Sequence, residues 1–190
     1  DVLKTDLPAL CRQEFGDARA VACANLPYYI TSPAIAALLE CRCFDAVTVM
    51  VQREVARRIC ARPGTADYGA FTVFVQWHAE PSVILEVGRE CFIPSPKVDS
   101  SVVRLDRRRY PPAEVRDETL FFRVVKAAFA QRRKTLLNCL LAVFSQIGGR
   151  EELEKIIRSC EIDPGCRGET LSIRQFADLS NALGLCEKNN

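Results

Sequence analysis

Two short apolar runs, separated by an apolar helix, most strongly limit the folds open to this chain. Residues 20–24 and 46–51 are rich in alanine and valine, and residues 34–39 between them carry no polar side chain. Runs of this kind are typical of strands in a parallel sheet that is covered on both faces. Because the connection between parallel strands is right-handed, the helix between them lies on one face of the sheet. The chain is therefore predicted to contain a βαβ unit of the α/β class.

The rest of the first hundred residues predicts further helices and strands. Pro33 suits the first turn of a helix, with Thr31 or Ser32 as the N-cap. Pro94 and Pro96 favour an extended loop, because proline fixes φ and restricts the residue before it. The other predicted elements are a helix or loop at 7–15, helices at 52–59 and 68–78 (the second favoured only weakly over a strand), and strands at 82–87 and 101–105.

The composition changes at the run Arg107-Arg108-Arg109-Tyr110-Pro111-Pro112, which is predicted to link two domains, residues 1–110 and 111–190. The second domain is predicted to be a small all-α domain. Ser172 is the predicted cap of its last helix, and Gly148-Gly149 is predicted to end an earlier one. The predicted helices cover residues 120–130, 134–147, 151–160 and 173–183.

Positive charge is concentrated in one part of the chain. The formal net charge is only +2, yet residues 101–150 contain eleven Lys and Arg against four Asp and Glu, a local excess of seven. If the first helix of this region continues through position 133, Arg123, Lys126 and Arg133 lie on one side of it. A solvated surface is the simpler interpretation, but the local excess favours contact with nucleic-acid phosphates. The predicted phosphate contacts, here called the basic cluster, are Arg123, Lys126, Arg132, Arg133 and Lys134.

The ten cysteines are interpreted as reduced thiols of a cytoplasmic protein. They contain no Cys-x-x-Cys spacing, and the single histidine, His78, has no partner for a zinc site, so no metal is expected. A disulfide framework is the alternative, but a chain of this length has a core that does not need one. No apolar run approaches about 18 residues, so no membrane span is expected. His78 is interpreted as structural, and Glu54 as part of an ion-paired helix surface.

The stretch Asn25-Leu26-Pro27-Tyr28 follows the first predicted strand directly. It is open to two interpretations. Asn and Pro are common in turns for backbone reasons alone. The same residues also suit a site for the exocyclic amine of adenine, which needs hydrogen-bond acceptors. The Asn25 side chain and a backbone carbonyl of the Leu26-Pro27 turn can accept both amine protons, while Tyr28 stacks on the base.

Several further motifs occur together with this stretch in one order. They are Val51-Gln52-Arg53-Glu54-Val55-Ala56, Tyr68-Gly69, Phe92-Ile93-Pro94-Ser95-Pro96-Lys97-Val98-Asp99-Ser100-Ser101-Val102-Val103, and Phe129-Ala130-Gln131-Arg132-Arg133-Lys134-Thr135-Leu136. The set resembles the small-subunit ribosomal RNA adenine dimethyltransferase family, from Asp1 to about Leu183. The resemblance implies S-adenosylmethionine-dependent dimethylation of two adjacent adenosines near the 3′ end of that RNA. It also implies the C-terminal part of a Rossmann-like class I methyltransferase sheet, followed by a small all-α domain.

The resemblance also implies roles for individual residues. Asn25, Leu26, Pro27 and Tyr28 match the family's catalytic motif, and Phe92 matches the aromatic residue that closes the target pocket. In the donor site, Asp1 matches the acidic residue that contacts the adenine of S-adenosylmethionine, with Asn25 also lying against the donor. In the basic cluster, Arg132, Arg133 and Lys134 match a segment suited to ribosomal RNA phosphates.

The sequence departs from the family in one respect. The resemblance implies a Gly-x-Gly loop for the donor ahead of Asp1, and none of the nine glycines forms one. The chain is therefore expected to be a truncated form that binds the donor poorly, is inactive alone, and exposes a sheet edge. Two other functions stay open: an RNA-binding module of ribosome assembly without catalysis, and a methyltransferase of large-subunit RNA. Retention of the Asn25 motif and Phe92 favours the enzyme.

Overall fold

The computed structural model describes residues 1–187, and these form two compact units. The first unit comprises Asp1–Ala61 and Phe74–Tyr110. The second comprises Arg62–Val73 together with the described residues from position 111 onward. One junction between the units thus falls at the change of composition after Tyr110. The division into domains of residues 1–110 and 111–190 stays a prediction.

The first unit is built on a four-stranded sheet. Its strands are β1 (Ala20–Asn25), β2 (Phe44–Gln52), β3 (Ala79–Val87) and β4 (Ser100–Arg107), in the spatial order β1-β2-β4-β3. β1 and β2 are parallel, whereas β4 is antiparallel to both β2 and β3. The helices are α1 (Leu7–Phe15), α2 (Thr31–Glu40), α3 (Arg53–Ile59) and α4 (Ala70–His78), of which α4 begins in the second unit. The predicted βαβ unit is confirmed as β1, α2 and β2.

The core of the first unit lies on one face of the two central strands. Val49 of β2 pairs with Val103 of β4, and neither side chain is exposed. Ile35 of α2 and Ile59 of α3 are also fully buried. Each such side chain contributes about 1.5–3 kcal/mol of hydrophobic free energy relative to exposure. This core fixes the end of β2 and the start of α3. Arg53 at the start of α3 in turn binds Asp99 in the loop between β3 and β4.

Both edges of the sheet carry exposed apolar side chains. Within the part of the chain that the structure describes, β1 pairs with β2 alone, and Val21 on it is 67% exposed. β3 forms the other edge, where Ile84 and Leu85 are 53% and 57% exposed. Exposed edge strands offer unpaired backbone groups to another chain or segment.

The second unit contains four longer helices, as predicted. They are α5 (Glu118–Phe129), α6 (Leu136–Phe144), α7 (Gly149–Ser159) and α8 (Ile173–Glu187). The backbone N–H of Leu120 donates to Oδ1 of Asp117 at 3.0 Å, so Asp117 caps α5. Phe121, Phe144 and Phe176, one from each of three helices, are fully buried and fill the centre of the unit.

Three details of the predicted helix ends are wrong. α2 begins at Thr31, whose hydroxyl donates back to the Pro27 carbonyl at 3.3 Å instead of capping the helix. α6 begins at Leu136 rather than 134, because the Thr135 hydroxyl accepts the Asn138 N–H at 3.4 Å and caps it. Gly148 does not end α6, which stops at Phe144. With φ of 72°, it precedes α7 instead.

None of the helices in residues 1–187 is both long and apolar enough to cross a membrane. In the same residues, no group of three or more His, Cys, Asp or Glu side chains has the arrangement of a metal site.

Candidate active site

A cavity of about 310 Å³ opens where β1 ends, against the loop that joins β3 to β4. This volume falls in the range of small-molecule and cofactor pockets. The five residues predicted to bind the target base all line it. The lining residues are Asn25, Leu26, Pro27, Tyr28, Phe92, Pro94 and Pro96. Residues 66 positions apart in the sequence, Leu26 and Phe92, are thus brought to one concave surface.

Asn25 is the last residue of β1 and pairs with Met50 of β2. Its side chain is exposed to the cavity and makes no hydrogen bond within residues 1–187. An amide has one acceptor oxygen and two donor hydrogens. The Asn25 amide is therefore available in full to a ligand.

The two carbonyls of the following turn differ in what they bind. The Pro27 oxygen accepts the N–H of Ile30 at 3.1 Å and the hydroxyl of Thr31 at 3.3 Å. The Leu26 oxygen accepts no hydrogen bond from any described residue, while the Leu26 side chain is 7% exposed and anchors the turn. The free acceptor of the turn is therefore the Leu26 carbonyl.

The Tyr28 ring is held by a residue that sequence reasoning missed. Its hydroxyl lies 2.9 Å from Oγ of Ser100, the first residue of β4, and either group can donate. Tyr28 is 37% exposed, whereas Ser100 is fully buried. Most buried hydroxyls have a hydrogen-bond partner, and the partner of Ser100 is the Tyr28 hydroxyl, which fixes the outer end of the ring. The only sequence signal was the serine pair at the end of the Phe92 motif.

An ionic network holds the loop that carries Phe92. The guanidinium of Arg53 donates to Oδ2 of Asp99 at 2.9 Å and to Oε2 of Glu86 at 3.0 Å. The other Asp99 oxygen accepts the backbone N–H of Arg89 at 3.1 Å, and the Ser101 hydroxyl donates to Glu86 at 2.8 Å. Arg53 thus ties β3, the loop and the start of α3 together. This role was not predicted.

Asp1 is not among the residues that line the cavity. Its carboxylate accepts the backbone N–H of Leu3 at 3.1 Å and lies 3.8 Å from the Lys4 ammonium. The side chain remains half-exposed, with lone pairs left for a ligand. Its predicted contact with a donor stays a prediction.

The family model for ribosomal RNA adenine dimethylases matches residues 1–184, which include every residue of the cavity. The chain belongs to this family. Two curated relatives support the assignment, and both are called ribosomal RNA small subunit methyltransferase A. The one from Geobacillus thermodenitrificans is 50% identical over 96% of this chain and 64% of its own length. The one from Caldanaerobacter subterraneus is 48% identical over 99% of this chain and 69% of its own length.

The chain therefore spans just under two thirds, 64%, of the first relative's length. A solved dimethyladenosine transferase from Plasmodium falciparum shares the fold, with a TM-score of 0.72 and 24% identity over 84% of this chain and 64% of that one. The 23S rRNA methyltransferase ErmE gives a TM-score of 0.66 and 25% identity over 97% and 70%. The prediction of a mixed α/β fold of the Rossmann-like methyltransferase kind is confirmed.

The basic cluster of this family member does not lie on one helix. α5 ends at Phe129, so Arg123 and Lys126 are helical, whereas Arg132, Arg133 and Lys134 lie in the connection to α6. The predicted helical face shared by Arg123 and Arg133 is therefore wrong. Ala130 is the C-cap of α5, and the Thr135 hydroxyl caps a separate helix that begins at Leu136.

Members of the basic cluster also differ in what they contact. The Arg132 guanidinium donates to the Ala66 carbonyl at 2.7 Å and lies 3.8 Å from Glu169. Arg123 lies over the Phe144 ring, 4.5 Å from its centroid. The exposed side chains of Lys126, Arg133 and Lys134 make no hydrogen bond or ion pair within the described residues.

Two residues outside the cavity were predicted to be structural. Glu54 pairs with Arg58 one turn further along α3, which confirms its place in an ion-paired helix surface. His78 is partly buried at the end of α4, with its ring edge-on to Phe74 at 4.8 Å. In the second unit, the buried hydroxyl of Tyr68 has no hydrogen-bond partner among residues 1–187, and burial raises the pKa of this group.

Proposed function

We propose that this chain serves in the S-adenosylmethionine-dependent dimethylation of two adjacent adenosines in small-subunit ribosomal RNA. Its cavity holds the target base. The proposal is supported by membership of the ribosomal RNA adenine dimethylase family and by relatives named small subunit methyltransferases at about half identity. The chemistry of the cavity supplies a second, independent argument.

One observation carries the proposal: two unpaired acceptors, the Asn25 side-chain oxygen and the Leu26 carbonyl, stand at a cavity that Tyr28 and Phe92 also line. The exocyclic amine of adenine has two N–H groups and a lone pair delocalised into the ring. Acceptors for both hydrogens orient the nitrogen and favour localisation of its lone pair. The two aromatic side chains offer faces on which the extruded base stacks.

Asp1 and Asn25 are the residues we assign to S-adenosylmethionine, which supplies the methyl group when bound. Their chemistry fits the group, since the half-exposed carboxylate of Asp1 offers oxygens to the donor's adenine amine, and the free amide of Asn25 has two N–H donors beside the oxygen given to the target base. A Gly-x-Gly loop for the rest of the donor does not occur in the printed sequence. We therefore propose that the chain alone binds the donor weakly.

The RNA partner is assigned to the exposed members of the basic cluster. The cationic groups of three members, Lys126, Arg133 and Lys134, bind no other described residue. The Arg132 guanidinium instead donates a hydrogen bond to the Ala66 carbonyl within the second unit. Phosphate contacts of this kind position RNA without reading its sequence. An immature small ribosomal subunit in the cytoplasm is the substrate we propose, with neither a membrane nor a metal ion taking part.

The two other functions are less well supported. A large-subunit RNA methyltransferase is suggested by the structural similarity to ErmE, but at half the identity found for the small-subunit relatives. An assembly factor that only binds RNA has no need of two free acceptors at an aromatic cavity.

A labelled-methyl assay on immature small subunits tests the proposal. Transfer is measured for this chain alone and for this chain preceded by the donor-binding segment of a curated relative. We expect incorporation into the RNA by the joined protein only, and none when Asn25 is replaced by Ala. Incorporation that the Asn25→Ala variant leaves undiminished would contradict the role given to this cavity.

A further inference from the structure

A second cavity, of about 510 Å³, is lined by the end of β2, the start of α3 and the part of the β3–β4 loop that follows Pro96. Its lining is unusually rich in charge for its size. The charged residues are Arg53, Glu54, Arg57, Lys97 and Asp99. Three cations thus face two carboxylates.

Both carboxylates and one of the cations are already engaged. Asp99 binds Arg53 at 2.9 Å, and Glu54 pairs with Arg58, which lies outside the cavity lining. The side chains of Arg57 and Lys97 make no ion pair or hydrogen bond within residues 1–187. Two uncompensated cations from different elements, α3 and the loop, therefore converge on one concave surface. Such a surface attracts an anion.

The second cavity adjoins the cavity of about 310 Å³ in which we place the target base, here called the base pocket. Pro96 lines the base pocket and the next residue, Lys97, lines the second cavity. Consecutive Cα atoms are about 3.8 Å apart, so the two surfaces meet at this point. When a nucleotide is extruded, its base enters a pocket while its phosphates stay with the strand outside. The anion nearest a bound base is therefore a backbone phosphate.

We propose that Arg57 and Lys97 form a phosphate-binding site for the RNA strand next to the target adenosine. This site rests on the proposed function, because the base pocket defines which strand passes it. The guanidinium of Arg57 can bind two phosphate oxygens at once, and the Lys97 ammonium acts as a point charge. The ionic network of Arg53 holds the loop so that Lys97 stays on the same surface as Arg57.

The test compares two variants that lose the same charges. Arg57→Gln with Lys97→Gln removes the site, and Arg12→Gln with Lys155→Gln removes one Arg and one Lys from exposed positions elsewhere. Binding of a short single-stranded RNA with two adjacent adenosines is followed by fluorescence anisotropy between about 50 and 200 mM salt. For two phosphate contacts on a single strand, the slope of log K against log salt should fall by about 1.4, with an affinity loss of about 25-fold at 0.1 M salt. The control variant should keep the slope of the unmodified protein.

An unchanged slope in Arg57→Gln/Lys97→Gln, or an equal fall in the control, would overturn the site. The same titrations with uridines in place of the adenosines separate this result from the proposed function. A preference for adenosine that persists beside an unchanged slope would leave the function standing and refute the site alone. Conversely, a reduced slope without any preference for adenosine would support phosphate binding and count against the base pocket.

Discussion

The hydroxyl of Tyr28 meets Oγ of Ser100 at 2.9 Å across 72 positions of sequence. The contact joins the turn after β1 to the first residue of β4, on either side of the β2 strand end. It sets the tilt of the Tyr28 ring at the cavity where we place the target base. Ser100 is thus a positioning residue, acting through Tyr28 rather than on a ligand.

Removing this contact should weaken both the fold and the pocket. We expect Tyr28→Phe and Ser100→Ala each to lower the free energy of unfolding by about 1 kcal/mol, the usual net contribution of one such bond. The double variant should lose little more than either single one, because the two residues share the interaction. Urea denaturation of all four proteins measures this coupling. Fully additive losses would show that the two hydroxyls act independently.

Arg132 and Arg133 are neighbours with different predicted effects. Arg132→Gln removes the bond to Ala66 and the contact with Glu169, so we expect a loss of stability of about 0.5–1 kcal/mol, kept small by exposure. Arg133→Gln removes a free charge and should leave stability unchanged while it weakens RNA binding and its salt dependence.

Urea denaturation and RNA titration of the two variants, side by side, check this pair of predictions. Equal stability of both variants would remove the structural role of Arg132. Unchanged RNA affinity of Arg133→Gln at low salt would remove the predicted role of Arg133.

Cys41 should react slowly with alkylating agents. Burial raises the pKa of this thiol to about 11, and its Sγ donates to the Leu38 carbonyl at 3.1 Å. At pH 8 we expect alkylation about two hundredfold slower than for a thiol with the ordinary pKa of about 8.5, because only the thiolate reacts. Cys23 and Cys91 are exposed and serve as internal references.

Iodoacetamide labelling followed by peptide mass spectrometry gives the order of reaction. Because the folded pKa of Cys41 is raised, the stability that its neutral form contributes is complete below about pH 8.5 and is lost as pH rises toward 11. Labelling of Cys41 as fast as that of Cys23 at pH 8 would contradict the raised pKa of the Cys41 thiol.

The sequence predicts local features well and distant contacts poorly. Periodicity and turn residues gave the strands and helices, since β2, α2 and α5 follow from the local order of apolar side chains. Asn25, Leu26, Pro27 and Tyr28 meet at one cavity because they are contiguous, whereas Phe92 was expected there only from the family resemblance. The partnership of Tyr28 with Ser100 was not predictable, because it depends on which strand lies beside which in the sheet.

The end of α5 shows the same limit in the helical unit. The residue pattern is consistent with a helical face that reaches Arg133. In the structure α5 ends at Phe129, and Thr135 caps the next helix, α6. Most of the stability of helices in proteins comes from tertiary packing, so a local pattern alone does not say whether a helix continues or a new one begins.

The central claim is that Asn25, together with the Leu26 carbonyl, accepts the amine protons of the target adenosine. The most direct measurement is the ratio of affinities for an RNA with adenosine and the same RNA with N6,N6-dimethyladenosine, whose amine has no proton to donate. We expect the unmodified protein to favour adenosine by about tenfold, as for one to two net hydrogen bonds. The Asn25→Ala variant should lose most of this preference. Equal affinities in the unmodified protein, or a full preference in the variant, would contradict the account.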